Sequence, residues 1–234
     1  MLHVETVLPD TLALLKRIQA MPELSAMRLV GGTALALLLG HRKSVDLDFF
    51  GTFDQTIVFA DLLRERGFQA VANGKGGSIQ SLMVDGVKVD FVNYPYSWIA
   101  DPVVEDGVIL ANMDDIAPMK LYAAANRGKK KDFVDMAFLL ERYALSDLLE
   151  GYMRKFAVSE YSYALRGLTY FDDAEDEQMP VMLASVDWDM VKRRISTAVR
   201  DYLTKASAVE NERGKLDAEK KAKKEKTDMK GGER

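Results

Sequence analysis

Between Leu29 and Phe50 the chain reads LVGGTALALLLGHRKSVDLDFF: a short apolar segment, a glycine pair, an apolar run from Thr33 to Leu39, a cationic loop, and a segment carrying Asp46 and Asp48. This order predicts strand, tight turn, helix, strand, because a helix that is apolar nearly all round has to be covered, here by a sheet. Gly31 and Gly32 let the backbone turn with nothing projecting from Cα. Either the pair simply turns the chain, or a phosphate approaches it. In the second case the amides and dipole of the following helix would meet it, together with the Thr33 hydroxyl.

Alternate residues of a strand share a face. Asp46 and Asp48 are therefore expected side by side, with Cα atoms about 6 to 7 Å apart, while Val45, Leu47 and Phe49 pack on the other face. Two such carboxylates either share one cation or bracket two metals about 3.5 to 4 Å apart. Without a cation they repel, and one tends to keep its proton. The plain alternative is an edge strand with two solvated acids. In His41-Arg42-Lys43-Ser44, Arg42 is the residue expected to meet a triphosphate, since a guanidinium binds phosphate oxygens two at a time. Ser44 adds a hydroxyl, whereas Lys43 reads as solvated and His41 as a loop or cap residue.

Composition narrows the setting. With 48% apolar and 29% charged residues in 234, the chain is ordinary for a globular protein. A formal net charge of -4 confines any nucleic-acid-binding surface to a local patch. The absence of cysteine excludes disulfides and thiolate metal sites and fits a reducing compartment. No apolar run approaches the roughly eighteen residues of a membrane span, and His3 and Glu5 stand where a signal peptide would be basic and then apolar. A cytoplasmic protein with no membrane partner is the expectation.

Along the rest of the chain, Asp10 is expected to cap a helix running to about Ala20, followed by a strand from Met27 to Val30. Thr52 or Asp54 should cap a second helix through Arg66, stopped by Gly67. Ser78–Val84 and Val87–Asn93 read as a hairpin about Asp85-Gly86, preceded by a glycine-rich connector at Asn73–Gly77. Asp90, inside an otherwise β-branched and aromatic strand, either faces water at an edge or joins Asp46 and Asp48 as a third carboxylate. Tyr94–Asn112 shows no regular pattern. A helix from Asp114 and Asp115 through Asn126 carries Lys120, which either snorkels or binds phosphate. Arg127-Gly128-Lys129-Lys130-Lys131 is a basic turn, either solvated or able to receive RNA. Asp132 is expected to cap the next helix, with Asp135 inside it. Further helices follow at about 146–156, 160–170 and from 187. Asp172, Asp173, Glu175, Asp176 and Glu177 form an acidic loop read as solvated, and residues 210–234 a charged tail, helical or disordered.

GGTALALLLGHRKSVDLDFF together with MKLYAAANRGKKKDFVDMAFLL resembles the two signature blocks of the AbiEii-type nucleotidyltransferase toxins, within the DNA polymerase β-like superfamily; YFDDAEDEQMPVM extends the likeness weakly. The resemblance implies an α+β fold, with a polymerase β-like mixed sheet flanked by helices and a helical C-terminal half. The corresponding divisions are 1–112 as nucleotidyltransferase core, 113–208 as helical domain completing the site, and 209–234 as tail. It implies that Gly31, Gly32 and Thr33 hold an NTP, that Asp46 and Asp48 bind magnesium, and that Lys120 and Asp132 complete the site. Asp90 matches the superfamily's third carboxylate. Transfer of an NMP from an NTP to an acceptor is the implied reaction, with RNA, in particular the 3′ end of tRNA, as acceptor and an antitoxin protein as partner. Small-molecule or protein acceptors, and a catalytically silent partner-binding homologue, are the other readings. The Gly-Gly-Thr here stands where Gly-Ser is commoner in the superfamily.

Overall fold

The computed structural model describes residues 1–74 and 77–231. Part of the 73–77 connector and the last three tail residues thus lie outside the described residues. Seven strands form one mixed sheet: β1 (Arg28–Val30), β2 (Leu47–Gly51), β3 (Ala70–Ala72), β4 (Ile79–Val84), β5 (Val87–Asn93), β6 (Val103–Glu105) and β7 (Val108–Leu110). Their order across the sheet is β3-β4-β5-β2-β1-β7-β6. β2 is central, antiparallel to β1 and parallel to β5.

The helices are α1 (Pro9–Gln19), α2 (Gly31–Leu39), α3 (Phe59–Glu65), α4 (Met113–Arg127), α5 (Lys130–Leu139), α6 (Leu145–Phe156), α7 (Ser162–Gly167) and α8 (Trp188–Gly231). Alternation decides what each sheet face meets. Leu47, Phe49, Val89 and Phe91 are fully buried on one face, where Phe59 of α3 stacks on Phe91 with ring centroids 4.2 Å apart. Asp48, Phe50, Asp90 and Val92 lie on the other face. α2 is buried through Thr33–Leu37, as its apolar sequence requires, and Gly40 ends it in the left-handed conformation, φ 71°.

Several local expectations need correction. Leu8 is the N-cap of α1, with Pro9 at the first helical position and Asp10 inside the first turn. Val58 precedes α3; Asp54 instead closes an Asx turn onto Thr56 (2.9 Å). Lys129 is the N-cap residue of α5, so Asp132 sits one turn inside the helix. Val45 is exposed, because β2 begins only at Leu47. The stretch 94–112 holds a second hairpin, β6–β7, turning on Asp106 (φ 52°) and Gly107 (φ 75°). That is the same Asp-Gly device as at Asp85-Gly86. The charged tail is helical as far as Gly231, continuous with α8. No helix among the described residues is long and apolar enough to cross a membrane.

Candidate active site

In the parallel pairing of β2 and β5, Asp48 stands directly opposite Asp90, which places their Cα atoms about 5 Å apart across adjacent strands. On the other flank Val30 of β1 is in register with Asp48. Asp46, two residues before Asp48, is half-buried at the mouth of the strand. Asp90 accepts hydrogen bonds from Ser81 Oγ (2.6 Å) and Lys88 Nζ (2.8 Å), and that bond raises the Lys88 pKa. Asp46 has a looser neighbour in Lys131 Nζ at 3.9 Å. Asp48 makes no hydrogen bond or ion pair among the described residues. Burial, then the nearby Asp90, push its carboxyl above the usual range.

The glycine pair serves the charged side chains on either side of it. Gly31 has φ 70°, and a Cβ there would run into the Asp48 carboxylate. A Cβ on Gly32 would lie 2.5 Å from Arg42 Nη2. A Cβ at either position would crowd a charged side chain, and at Gly31 the positive φ would add backbone strain.

Arg42 and Thr33 are turned away from the cavity. Arg42 is buried; its Nε and Nη2 grip Asp135 at 2.7 and 2.8 Å, and Nη1 donates to the Lys43 carbonyl. Every guanidinium nitrogen is engaged inside the protein, so the expected triphosphate contact is replaced by a bracing one beneath the glycine turn. Thr33 is 1% exposed. Its hydroxyl meets the Asp46 carbonyl and lies 2.8 Å from Ser44 Oγ, fastening the loop to α2. Ser44 remains half-buried beside the turn.

A second charged group stands opposite on α4 and α5. Lys120 Nζ is 2.6 Å from Asp135 and 3.2 Å from Asp132. Arg127 clasps Asp132 with two hydrogen bonds of 2.6 and 2.8 Å. His41 Nε2 lies 2.8 Å from Asp135. Burial opposes ionisation of Asp135, yet Lys120, Arg42 and His41 together hold its carboxyl well below the usual range. Asp132 is likewise lowered, against its burial, by Arg127 and Lys120. Arg127, in the turn expected either solvated or able to receive RNA, joins this group; its seven-residue spacing from Lys120 puts the two on one face of α4. His41, expected as a loop or cap residue, lies in a loop and meets Asp135 from there.

Between the two groups lies a cavity of about 660 Å³, bordered by Gly31, Asp48, Lys120 and Arg127 and walled by apolar and aromatic side chains. Such a volume suits a ligand of nucleotide size. Among the described residues no three acidic or histidine side chains converge as a ready-made metal cage. Magnesium, however, is commonly held by one or two carboxylates plus substrate phosphates and water. The unpaired Asp48, with Asp46 and Asp90 as hard oxygen donors beside it, fits that mode. Of the basic turn, expected either solvated or able to receive RNA, Lys130 is buried, donating to the Glu175 and Glu177 carbonyls, while the exposed Lys129 reaches Glu177 at 3.3 Å. The acidic loop supplies these partners, and Glu175 also accepts from Trp188 and Lys192.

Known proteins share the family and the fold of this chain. The family model for the nucleotidyl transferase AbiEii toxin of type IV toxin–antitoxin systems matches residues 13–211. An uncharacterized protein of Aquifex aeolicus is 31% identical over 185 residues, spanning 75% of this chain and 87% of that protein. The crystal structure of JHP933 from Helicobacter pylori shares the fold with a TM-score of 0.56 at 21% identity, over 88% of this chain and 98% of its own. MenT4, a nucleotidyltransferase toxin from Mycobacterium tuberculosis, does so with a TM-score of 0.51 at 16% identity, over 80% of this chain and 82% of its own.

Proposed function

From the premise that the chain belongs to the AbiEii nucleotidyltransferase toxin family, we propose that it transfers an NMP from a magnesium-bound NTP to an RNA acceptor, the 3′ end of tRNA. Family membership itself implies an NTP substrate and an antitoxin partner. The observation that carries the reading is the register of Asp48 with Asp90, a carboxylate pair of which Asp48 borders the nucleotide-sized cavity and has no partner of its own among the described residues.

Asp46 and Asp48, with Asp90 beside them, are the residues that would hold magnesium. When bound, magnesium supplies Lewis acidity toward the α-phosphate and lowers the pKa of the attacking hydroxyl. The chain's own contribution is positioning and charge. Lys120 and Arg127, oriented by Asp132 and Asp135, offset the charge of the triphosphate and the departing pyrophosphate. Gly31 and Gly32 keep the turn free of side chains where phosphate and Asp48 meet, and Ser44 offers a hydroxyl there. Asp90, paired in register with Asp48, would serve as a metal ligand or as the base that takes the acceptor's proton. Arg42 and Thr33 act from beneath, by fixing Asp135 and the 44–46 loop.

One observation favours a smaller acceptor. Lys129 and Lys130, the cations best suited by sequence to an RNA backbone, are paired with the 172–177 loop. Incubating the protein with each α-labelled NTP, magnesium, and separate RNA, protein and small-molecule fractions decides the matter. Label in RNA supports the proposal, label confined to another fraction replaces the acceptor, and no label in any fraction rejects transferase activity on these substrates.

A further inference from the structure

The cavity beside Asp48 has a second half that phosphate chemistry does not use. Along α4, Met119, Tyr122 and Asn126 form a ridge at helical spacing next to the ridge bearing Ile116, Lys120 and Arg127, and both border the cavity. Tyr122 and Tyr96 remain 46% and 40% exposed. They meet through Phe156, whose ring centroid lies 5.0 Å from that of Tyr122 and 5.1 Å from that of Tyr96. Tyr94 continues the row, 5.3 Å from Tyr96.

This wall is held rigid from behind. Lys155 of α6 is fully buried; its Nζ donates to the Ser97 carbonyl (2.9 Å) and to Asp115 (2.6 Å) and lies over the rings of Tyr94 and Trp98. Asp115 in turn accepts from the backbone N–H groups of Ile99 (2.8 Å) and Ala100 (3.1 Å). The segment that carries Tyr94 and Tyr96 is thus pinned to α4 and α6 by buried charge. Exposed aromatic rings on a pinned loop lose little freedom when something flat covers them.

Resting on the NTP reading above, we propose that the Tyr96–Phe156–Tyr122 wall is the stacking site for the nucleobase of the NTP. Asn126 then lies at the edge of the stack. Its Nδ2 donates to the Tyr122 carbonyl (2.8 Å), which fixes the amide and leaves Oδ1 and the second N–H without a protein partner among the described residues. A base stacked on Tyr122 meets one acceptor and one donor there, so Asn126 is a specificity-determining residue. Recognition comes mainly from the π face, which every base offers.

Isothermal titration with magnesium separates this half of the site from the phosphate half, with each of the four NTPs and inorganic tripolyphosphate as probes. Wild-type protein binds at least one NTP about tenfold to a hundredfold more tightly than tripolyphosphate. Tyr122→Ala and Tyr96→Ala lose most of that advantage while binding tripolyphosphate as before. Both side chains are substantially exposed, so the fold tolerates the change, which a thermal melt verifies. Asn126→Ala alters the ranking among the four NTPs. Equal binding of NTPs and tripolyphosphate by the wild type, or undiminished NTP preference in both tyrosine variants, overturns the stacking site alone. Failure of every probe to bind overturns the nucleotide reading and the stacking site with it.

Discussion

Two clusters of charge face each other across the cavity, and they are built on opposite principles. On α4 and α5, Asp132 and Asp135 are buried and surrounded by Lys120, Arg42, Arg127 and His41, so that each acid is paired more than once. On β2 and β5, Asp48 is set beside Asp90 and Asp46 with no cation of its own. The first arrangement offsets the cost of burial and fixes geometry. The second leaves repulsion standing, the arrangement found where groups are poised for function. Comparison of the two separates carboxylates paired inside the protein from one left without a partner among the described residues, although the sequence offers only Asp-x-Asp in one case and Asp-x-x-Asp in the other.

The sharpest way to break this distinction is at Asp135. Asp135→Ala leaves Arg42 and Lys120 buried without their main partner, with an expected loss of about 3–5 kcal/mol in folding stability, measured by denaturant unfolding. A loss under about 1 kcal/mol would mean that the cluster does not brace the fold. Next in size, Gly31→Ala forces a left-handed conformation on a residue with a Cβ and pushes against Asp48. A cost of about 1–2 kcal/mol is expected, together with weakened magnesium-dependent NTP binding. The same unfolding and titration measurements check both parts.

pH separates the clusters by sign. The Asp48 carboxyl is held above its ordinary 3.8 by burial and then by Asp90, so the folded state keeps that proton more tightly than the unfolded chain does. Its stabilising contribution is complete below 3.8 and disappears as pH rises through the raised value. Asp135 lies well below 3.8; its contribution is present above 3.8 and is lost as pH falls through the lowered value. Asp48→Asn should accordingly be more stable than wild type at pH 7, with the gap closing as pH falls through the raised value to 3.8, in parallel unfolding curves. The smallest effect is expected at the surface. Glu177→Ala frees Lys129 from an exposed pair worth at most about 1 kcal/mol, and an RNA acceptor should then be labelled somewhat faster, as read in the fractionated labelling assay.

The juxtaposition of the carboxylates on β2 and β5 was largely legible in the sequence. The alternation around Asp46 and Asp48, and the lone Asp90 in a β-branched strand, are local patterns that a sheet converts into neighbours. The bracing cluster was less so. Arg42 finds Asp135 93 residues away, and a cation in a loop reads the same whether it meets phosphate or a buried acid. Thr33 and His41 likewise find partners distant in sequence, the Asp46 carbonyl and Asp135. The pairing of the basic turn with the acidic loop is also tertiary: each segment, taken alone, is indistinguishable from a solvated one. The β6–β7 hairpin carried its Asp-Gly signal openly, but strands of three residues are too short for alternation to show.

The central claim is that Asp48 is there for a ligand and not for the fold. Its most direct test is magnesium-dependent transfer of α-labelled NMP by Asp48→Asn, with the unfolding midpoint of the same preparation at pH 7. Transfer reduced at least about a hundredfold, with a midpoint at or above wild type, is the predicted result. Wild-type transfer by a fully folded Asp48→Asn protein would contradict it.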